Sequence, residues 1–299
     1  MRFKTILALG LIAVGAGACS DNSGVTDAKP IPPAALIRFI NASLDTGTVD
    51  FRFIDKVENL PTFLGVGVRA ASGVYQRVSP GARPVRVFVN STDPVEAQKR
   101  LIDTTITLNA DTRYTLVYEG AARGNADRLL VIEDPLTFPT PPAGQIAIRA
   151  LNLNGTVGAA DVRFAPTDTV KPSGVGADTV PQPRNVYAAL ATMITNTPFR
   201  SYSGFVNIPA LPTATPKDSL YQFQVFPTGS ATMAFKSTST QRGATAPAGA
   251  SYGPQPGVQI AGSVMTAVLF PATTAGSPAR TSATANPGVV LIVDKPLNP

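Results

Sequence analysis

Residues 37–53 read IRFINASLDTGTVDFRF, and residues 148–164 read IRALNLNGTVGAADVRF. The two segments align without a gap and share six identities: Ile37/Ile148, Arg38/Arg149, Asn41/Asn152, Asp50/Asp161, Arg52/Arg163 and Phe53/Phe164. Self-similarity at a fixed offset marks duplicated structural units, so any fold for the first copy must also serve the second. Further echoes keep the same order. Ser203-Gly204-Phe205 answers Ser72-Gly73-Val74, residues 221–226 answer 85–90, residues 263–270 answer 113–119, and residues 289–297 answer 129–136. A chain of 299 residues has room for two such units, each with its own core.

The units read as β-structure. Charge is sparse at 15%, and 25 Gly with 28 Pro supply turns between many short strands. Strand-type runs fall at 36–41, 48–54, 62–68, 73–78, 85–90, 101–108, 113–119 and 128–133, with Val49, Phe51 and Phe53 alternating against Asp50 and Arg52. Residues 101–108 and 113–119 read as a hairpin around Asn109-Ala110-Asp111. In the second unit Val186, Ala189, Leu190, Met193 and Ile194 have helical spacing, whereas register with the first unit calls for strand and loop. The second unit is also longer. Residues 165–184, 236–257 and 271–287 are insertions rich in Ser, Thr, Ala, Gly or Pro, and they read as flexible surface loops. If ordered, they are the first place to look for a ligand contact. The fold class is therefore all-β: two tandem β-sandwich domains, immunoglobulin-like or transthyretin-like, at residues 35–138 and 144–299, joined by the stiff linker Phe138-Pro139-Thr140-Pro141-Pro142.

The amino terminus is a targeting segment. A basic start with Arg2 and Lys4 precedes the apolar run 5–18, which is too short to span a bilayer and fits a signal peptide over residues 1–18. The run ends Ala16-Gly17-Ala18-Cys19 and resembles a bacterial lipobox, with Ala16 where leucine is usual. Cys19 is the only cysteine, which excludes an intramolecular disulfide and marks it as the acylated residue. Ser20 after it resembles outer-membrane sorting. Residues 19–34 form a polar, proline-rich tether.

The run 38–53, with Asn41-Ala42-Ser43, Asp45 and Val49-Asp50, resembles the opening of the bacterial envelope domain-of-unknown-function family 4397. Ser72-Gly73-Val74, the Ser79-Pro80-Gly81 turn and the ending 129–134 are similar too. The family's opening typically has a proline after the serine and often a histidine before the alanine, where this chain has Leu44 and Asn41. The resemblance implies a β-sandwich in a secreted or anchored protein and implies no activity.

The chemistry is limited by what is missing. The chain has no histidine and no tryptophan, so the commonest general base and zinc ligand and the strongest sugar-stacking side chain are absent. Gly249-Ala250-Ser251-Tyr252-Gly253 fits a nucleophile elbow without the histidine it needs. Asp45-Thr46-Gly47 matches the aspartic-protease triplet, but the second copy reads Thr156-Val157-Gly158 and supplies no partner carboxylate. A turn with Asp45 capping backbone amides is the simpler reading. Gly65-Val66-Gly67 lacks the crossover helix of a dinucleotide site. Asp45, Asp50, Glu133 and Asp134 show no calcium-loop spacing. The net charge of +6 carries no basic run interleaved with aromatics, so no nucleic-acid partner is expected. No cofactor or metal is expected either. Arg38, Asp50, Arg149 and Asp161 are expected to form cross-strand structural pairs in each copy.

These observations point to a non-catalytic envelope lipoprotein, a binding or adhesion module for an envelope protein or glycan, held in the outer membrane through Cys19. A structural spacer or assembly component is the alternative, and an aspartate-dependent hydrolase is the remote one.

Overall fold

The computed structural model describes residues 32–55, 62–73, 75–168, 185–212 and 219–297. The signal segment, Cys19, most of the tether and residues 169–184 of the first insertion lie outside the described residues. Ala34–Pro299 form one compact unit.

The first half supplies β1 (Ala35–Ser43), β2 (Val49–Phe53), β3 (Thr62–Val66), β4 (Ala70–Ala71), β5 (Gln76–Val78) and β6 (Gly81–Val89). A one-turn helix α1 (Pro94–Ala97) follows, then β7 (Arg100–Leu108), β8 (Arg113–Gly120) and β9 (Arg128–Asp134). The second half supplies β10 (Gln145–Asn152), β11 (Ala160–Asp168), β12 (Asn185–Val186), β13 (Met193–Thr197) and β14 (Val206–Pro209). It ends with β15 (Leu220–Pro227), β16 (Phe235–Thr238), β17 (Val264–Phe270) and β18 (Gly288–Lys295). Residues 186–194 are strand and loop, as register with the first half requires.

Each half is a two-sheet sandwich. In the first, the sheet ordered β4-β1-β8-β9, with β5 also paired to β1, packs on the sheet β3-β2-β6-β7. In the second, β14-β10-β17-β18 packs on β12-β11-β15-β16, with β13 also paired to β11. The pairs β1/β8 and β10/β17 are parallel, and the remaining pairs are antiparallel. A third apolar cluster, containing Ile40, Ala42, Val117, Leu151, Leu153, Val268 and Phe270, joins the two parallel-strand sheets to each other. The molecule is thus four sheets deep.

This layering explains the residue pattern. A strand buried on both faces must be apolar on both, whereas a half-exposed strand alternates. Along β1, Ile37 and Phe39 enter the first core while Arg38, Ile40 and Ala42 face the other sandwich. Along β17, Met265, Ala267 and Leu269 enter the second core while Val268 and Phe270 face the first sandwich. The outer strand β6 shows plain alternation instead.

Two expectations are corrected. Residues 101–108 and 113–119 are not a hairpin: β7 pairs with β6 in the outer sheet, while β8 lies between β1 and β9 in the inner one. The turn at 109–112 carries the chain across the core, with Asp111 at positive φ and the Asn109 amide donating to the Tyr114 hydroxyl. Nor do Arg38 and Asp50, or Arg149 and Asp161, form cross-strand pairs. β1 and β2 face each other across the core through Phe39 and Phe51, with ring centroids 5.1 Å apart, so alternation sends Arg38 and Asp50 to opposite outer faces. β10 and β11 repeat the arrangement.

Candidate functional site

The duplicated arginines meet at the centre of the molecule. Arg38 Nη1 lies 2.8 Å from Asp294 Oδ1, and Arg149 Nη2 lies 2.7 Å from Asp134 Oδ1. Each arginine also donates Nε to a threonine of the neighbouring parallel strand, Arg38 to Thr115 at 2.8 Å and Arg149 to Thr266 at 2.9 Å. Those hydroxyls donate in turn to Asp134 and Asp294. Every arginine therefore belongs to an Arg–Thr–Asp ladder in its own sandwich and pairs with the aspartate of the other. The two cations and two anions balance, and their side chains are 0–2% exposed. Tyr75 donates to Asp134 and Tyr202 to Thr115, and the Arg149 guanidinium lies 3.7 Å from the Tyr202 ring centroid. Burial alone lowers the pKa of Arg38, but Tyr202, Asp294, Tyr75 and Asp134 outweigh it and raise it. Burial pushes the Tyr202 phenol up to about 12. The quartet is a joint between sandwiches.

The other repeated residues hold the ends of the strands. Asn41 Nδ2 donates to the Gly47 and Val66 carbonyls, and Asn152 Nδ2 donates to those of Gly158 and Thr197. Asp50 accepts from the Gly65 amide and from Asn90 Nδ2. Asp161 accepts from the amides of Asn196 and Gly229 and from the Thr228 hydroxyl. Burial raises the Asp161 pKa, but these donors and the nearby Arg163 outweigh it and the net shift is downward. Arg52 lies over Phe88 and Arg163 over Phe226. All of these are structural roles.

The feature that suits a ligand is a cleft of about 740 Å³ at the end of the first sandwich. One wall is first-half connections: the β1–β2 turn with Asp45, Thr46 and Thr48, the β6–β7 connection with Asn90, Ser91, Glu96 and Lys99, and the β8–β9 connection with Arg123. The opposite wall is the insertion 271–287, which contributes Pro278, Ala279, Thr281 and Thr284. That insertion does not behave as the flexible surface loop its composition suggests. Thr273, Ser277, Ala279 and Thr284 are buried, and the Thr274 amide donates to the Leu44 carbonyl.

Arg69 explains why. Its backbone sits at φ 59°, and its guanidinium donates to four main-chain carbonyls of the insertion: Ala283 (3.1 Å), Pro271 (2.6 Å), Thr284 (2.9 Å) and Asn286 (2.6 Å). No carboxylate answers its charge among the described residues, and burial lowers its pKa to about 10. Asp45 closes the cleft floor. Its carboxylate accepts from the amides of Ala122 and Arg123, so it anchors the β8–β9 connection. Glu96 and Lys99 pair with each other at 2.6 Å. None of the described lining side chains is aromatic.

The remaining motifs acquire no chemistry. Residues 249–253 lie in a loop rather than between a strand and a helix. Gly65 and Gly67 flank the end of β3 in an all-β setting. Glu133 is exposed on β9, while Asp134 belongs to the quartet. Among the described residues no three His, Cys, Asp or Glu side chains are grouped to hold a metal, and no helix is long and apolar enough to cross a membrane. Sequence reasoning passed over Arg69. The signal was faint: one arginine beside Gly67 at the end of a strand.

Fold and site define a class, an all-β protein of two face-to-face sandwiches with a cleft that both halves build. Residues 35–163 match the model of the domain of unknown function DUF4397. The match covers β1 to β9 and runs through the repeated motif into β11. No curated protein matches the chain. Among solved structures, a candidate cell adhesion protein from Bacteroides ovatus aligns over 90% of this chain and 98% of that chain, at 7% identity and a TM-score of 0.24. The tip fimbrial protein Mfa3 from Porphyromonas gingivalis aligns over 87% of this chain and 99% of that chain, also at 7% identity and a TM-score of 0.24. Scores this low carry no functional argument.

Proposed function

We propose that this chain is a non-catalytic binding module of the bacterial cell envelope, anchored through acylated Cys19, whose ligand occupies the cleft between the first sandwich and residues 271–287. The cleft's place in the fold carries the reading. The compact unit begins at Ala34, at the start of β1, and the cleft forms beyond the other end of that strand. Nine residues at about 3.3 Å each put about 30 Å between the start of β1 and the cleft. A cleft at that end of the first sandwich, walled by loops of both halves, suits an envelope protein or glycan. The lining of hydroxyls, one amide, a self-paired Glu96–Lys99 and one further charge of each sign, Asp45 and Arg123, is neutral in sum and suits a neutral ligand with hydroxyl groups. The carboxylate of Asp45, committed to two amides, serves the scaffold rather than hydrolysis.

The test is affinity capture of the full chain from gently solubilised native envelopes, followed by quantitative mass spectrometry and glycan analysis. A Ser91→Tyr variant fills the cleft and should lose the captured species, while a Cys19→Ser variant should keep it and stop partitioning with membranes. Equal capture by wild type and Ser91→Tyr would remove the cleft from the argument. A second reading, an assembly spacer, is favoured by the buried quartet, which makes the joint between the sandwiches stiff; it predicts a stoichiometric protein partner that Ser91→Tyr leaves bound.

A further inference from the structure

A second crevice, of about 360 Å³, lies at the opposite end of the molecule from the cleft and is lined by Leu36, Tyr75, Arg113, Phe138, Asp294 and Lys295. Its charge is unbalanced. Asp294 in its wall is already answered by Arg38 and Arg149. Arg113 and Lys295 have no carboxylate within ion-pair distance among the described residues. The Arg113 guanidinium lies against two aromatic rings, 4.8 Å from the Phe138 centroid and 5.7 Å from that of Tyr75. Its Nε is buried without an acceptor, and Nη1 has only a long 3.5 Å bond to the Pro135 carbonyl. A guanidinium against two rings, with donors unspent and an ammonium in the same crevice, is prepared for a planar or tetrahedral oxyanion. Leu36 and Phe138 supply an apolar flank.

From this geometry we infer that the crevice binds a phosphate ester carried on an apolar body, with Arg113 as the fork and Lys295 as the second charge. A dianionic phosphate matches two unpaired cations, where a carboxylate would leave one unanswered. Leu36 stands two residues beyond the start of the compact unit, so the crevice lies at the start of β1. The anion site stands on its own geometry. Only a membrane source for the phosphate rests on the anchored reading above, and free phosphate esters share the same chemistry.

The experiment uses the full chain with Cys19→Ser, so that no acyl chain contributes. Phenyl phosphate is titrated by calorimetry against phenol as the uncharged control. Binding should be salt-sensitive, absent for phenol, and about tenfold weaker in each of Arg113→Gln and Lys295→Gln. Lys99→Gln, in the distant cleft, should leave it unchanged. Lys295 is exposed, so its variant keeps the test valid if Arg113→Gln fails to fold. Flotation with phosphatidylglycerol vesicles then separates the sources. Co-flotation lost in both variants identifies lipid headgroups, whereas phenyl phosphate binding without flotation identifies soluble esters. No preference for phenyl phosphate over phenol, or a preference indifferent to both substitutions, overturns the inference. Neither result bears on the Ser91→Tyr capture, so the two readings fail separately.

Discussion

Asp294→Asn tests whether the quartet joins the sandwiches as a balanced buried unit. The carboxylate faces Arg38 Nη1 at 2.8 Å, Arg149 Nη2 at 3.4 Å and the Thr266 hydroxyl at 2.7 Å. Asparagine keeps the shape and removes the charge, leaving two buried arginines to one aspartate. Breaking a buried pair in this way costs about 3–5 kcal/mol. For the compact unit Ala34–Pro299, an unfolding entropy of about 2.1 cal/mol/K per residue sums to about 0.55 kcal/mol/K, so a loss of about 4 kcal/mol lowers Tm by about 7 °C. The same loss is expected for Asp134→Asn, the residue in the matching place. The contrast variant replaces the whole device with apolar residues: Arg38→Met, Arg149→Met, Asp134→Leu and Asp294→Leu, with Thr115→Val, Thr266→Val, Tyr75→Phe and Tyr202→Phe so that no hydroxyl bonded to the device is stranded. Removing all the partners together should cost far less than removing one, because desolvation of the charges disappears with them. Calorimetric melts at neutral pH read both. A Tm within about 1 °C of wild type for Asp294→Asn would refute the reasoning, as would an apolar replacement worse than the single change.

Three further outcomes follow from local geometry. Arg69→Ala removes four charge-assisted hydrogen bonds and should cost about 3 kcal/mol. Limited proteolysis should cut the variant first within residues 271–287, and wild-type resistance there would sink the idea. Gly120 sits at φ 98°, and a Cβ would come 2.2 Å from the Ala126 carbonyl oxygen, so Gly120→Ala should lose about 2 kcal/mol or more in urea unfolding. Asp161 is depressed in the folded state, so its stabilisation is present above the ordinary aspartate pKa of about 4 and is lost as pH falls through the folded value. The advantage of wild type over Asp161→Asn should therefore be full at neutral pH and shrink in acid; an advantage that grows on acidification would contradict the assignment.

Much of the architecture is legible in local pattern, because a duplicated strand motif and period-two alternation are properties of contiguous residues. The roles of Asn41, Asp50 and their counterparts are nearly local too, since they tie turns that follow within the same sandwich. Arg38 and Arg149 are different. Their identity in both copies is visible, but their partners stand on strands of the other sandwich, so a reading confined to one copy offers Asp50 and Asp161 instead. The hairpin fails for the same reason. Residues 101–108 and 113–119 are joined by a short turn, but β8 finds its parallel partner in β1, and only the three-dimensional packing of Leu108 and Tyr114 into one core reveals the crossing. Composition misled at 271–287, because a loop poor in apolar residues can still be fixed by one distant cation on its carbonyls.

Duplication alone would give two equivalent loop ends, and the cleft exists because the copies differ. Between β8 and β9 the connection spans residues 121–127, whereas between β17 and β18 it spans 271–287. The longer one reaches across the joint and lies against the first sandwich, under Arg69; the shorter one has no counterpart to that insertion. The joint and the cleft are therefore separable pieces, one symmetric and one not. Replacing 272–286 with a turn as short as 121–127, together with Arg69→Ser so that no guanidinium is left without its carbonyls, should keep a single melting transition because the quartet and the shared apolar cluster are untouched. The same variant should lose whatever the wild-type cleft captures. If it keeps its ligand, binding belongs to another surface; if it melts in two steps, the insertion rather than the quartet holds the sandwiches together.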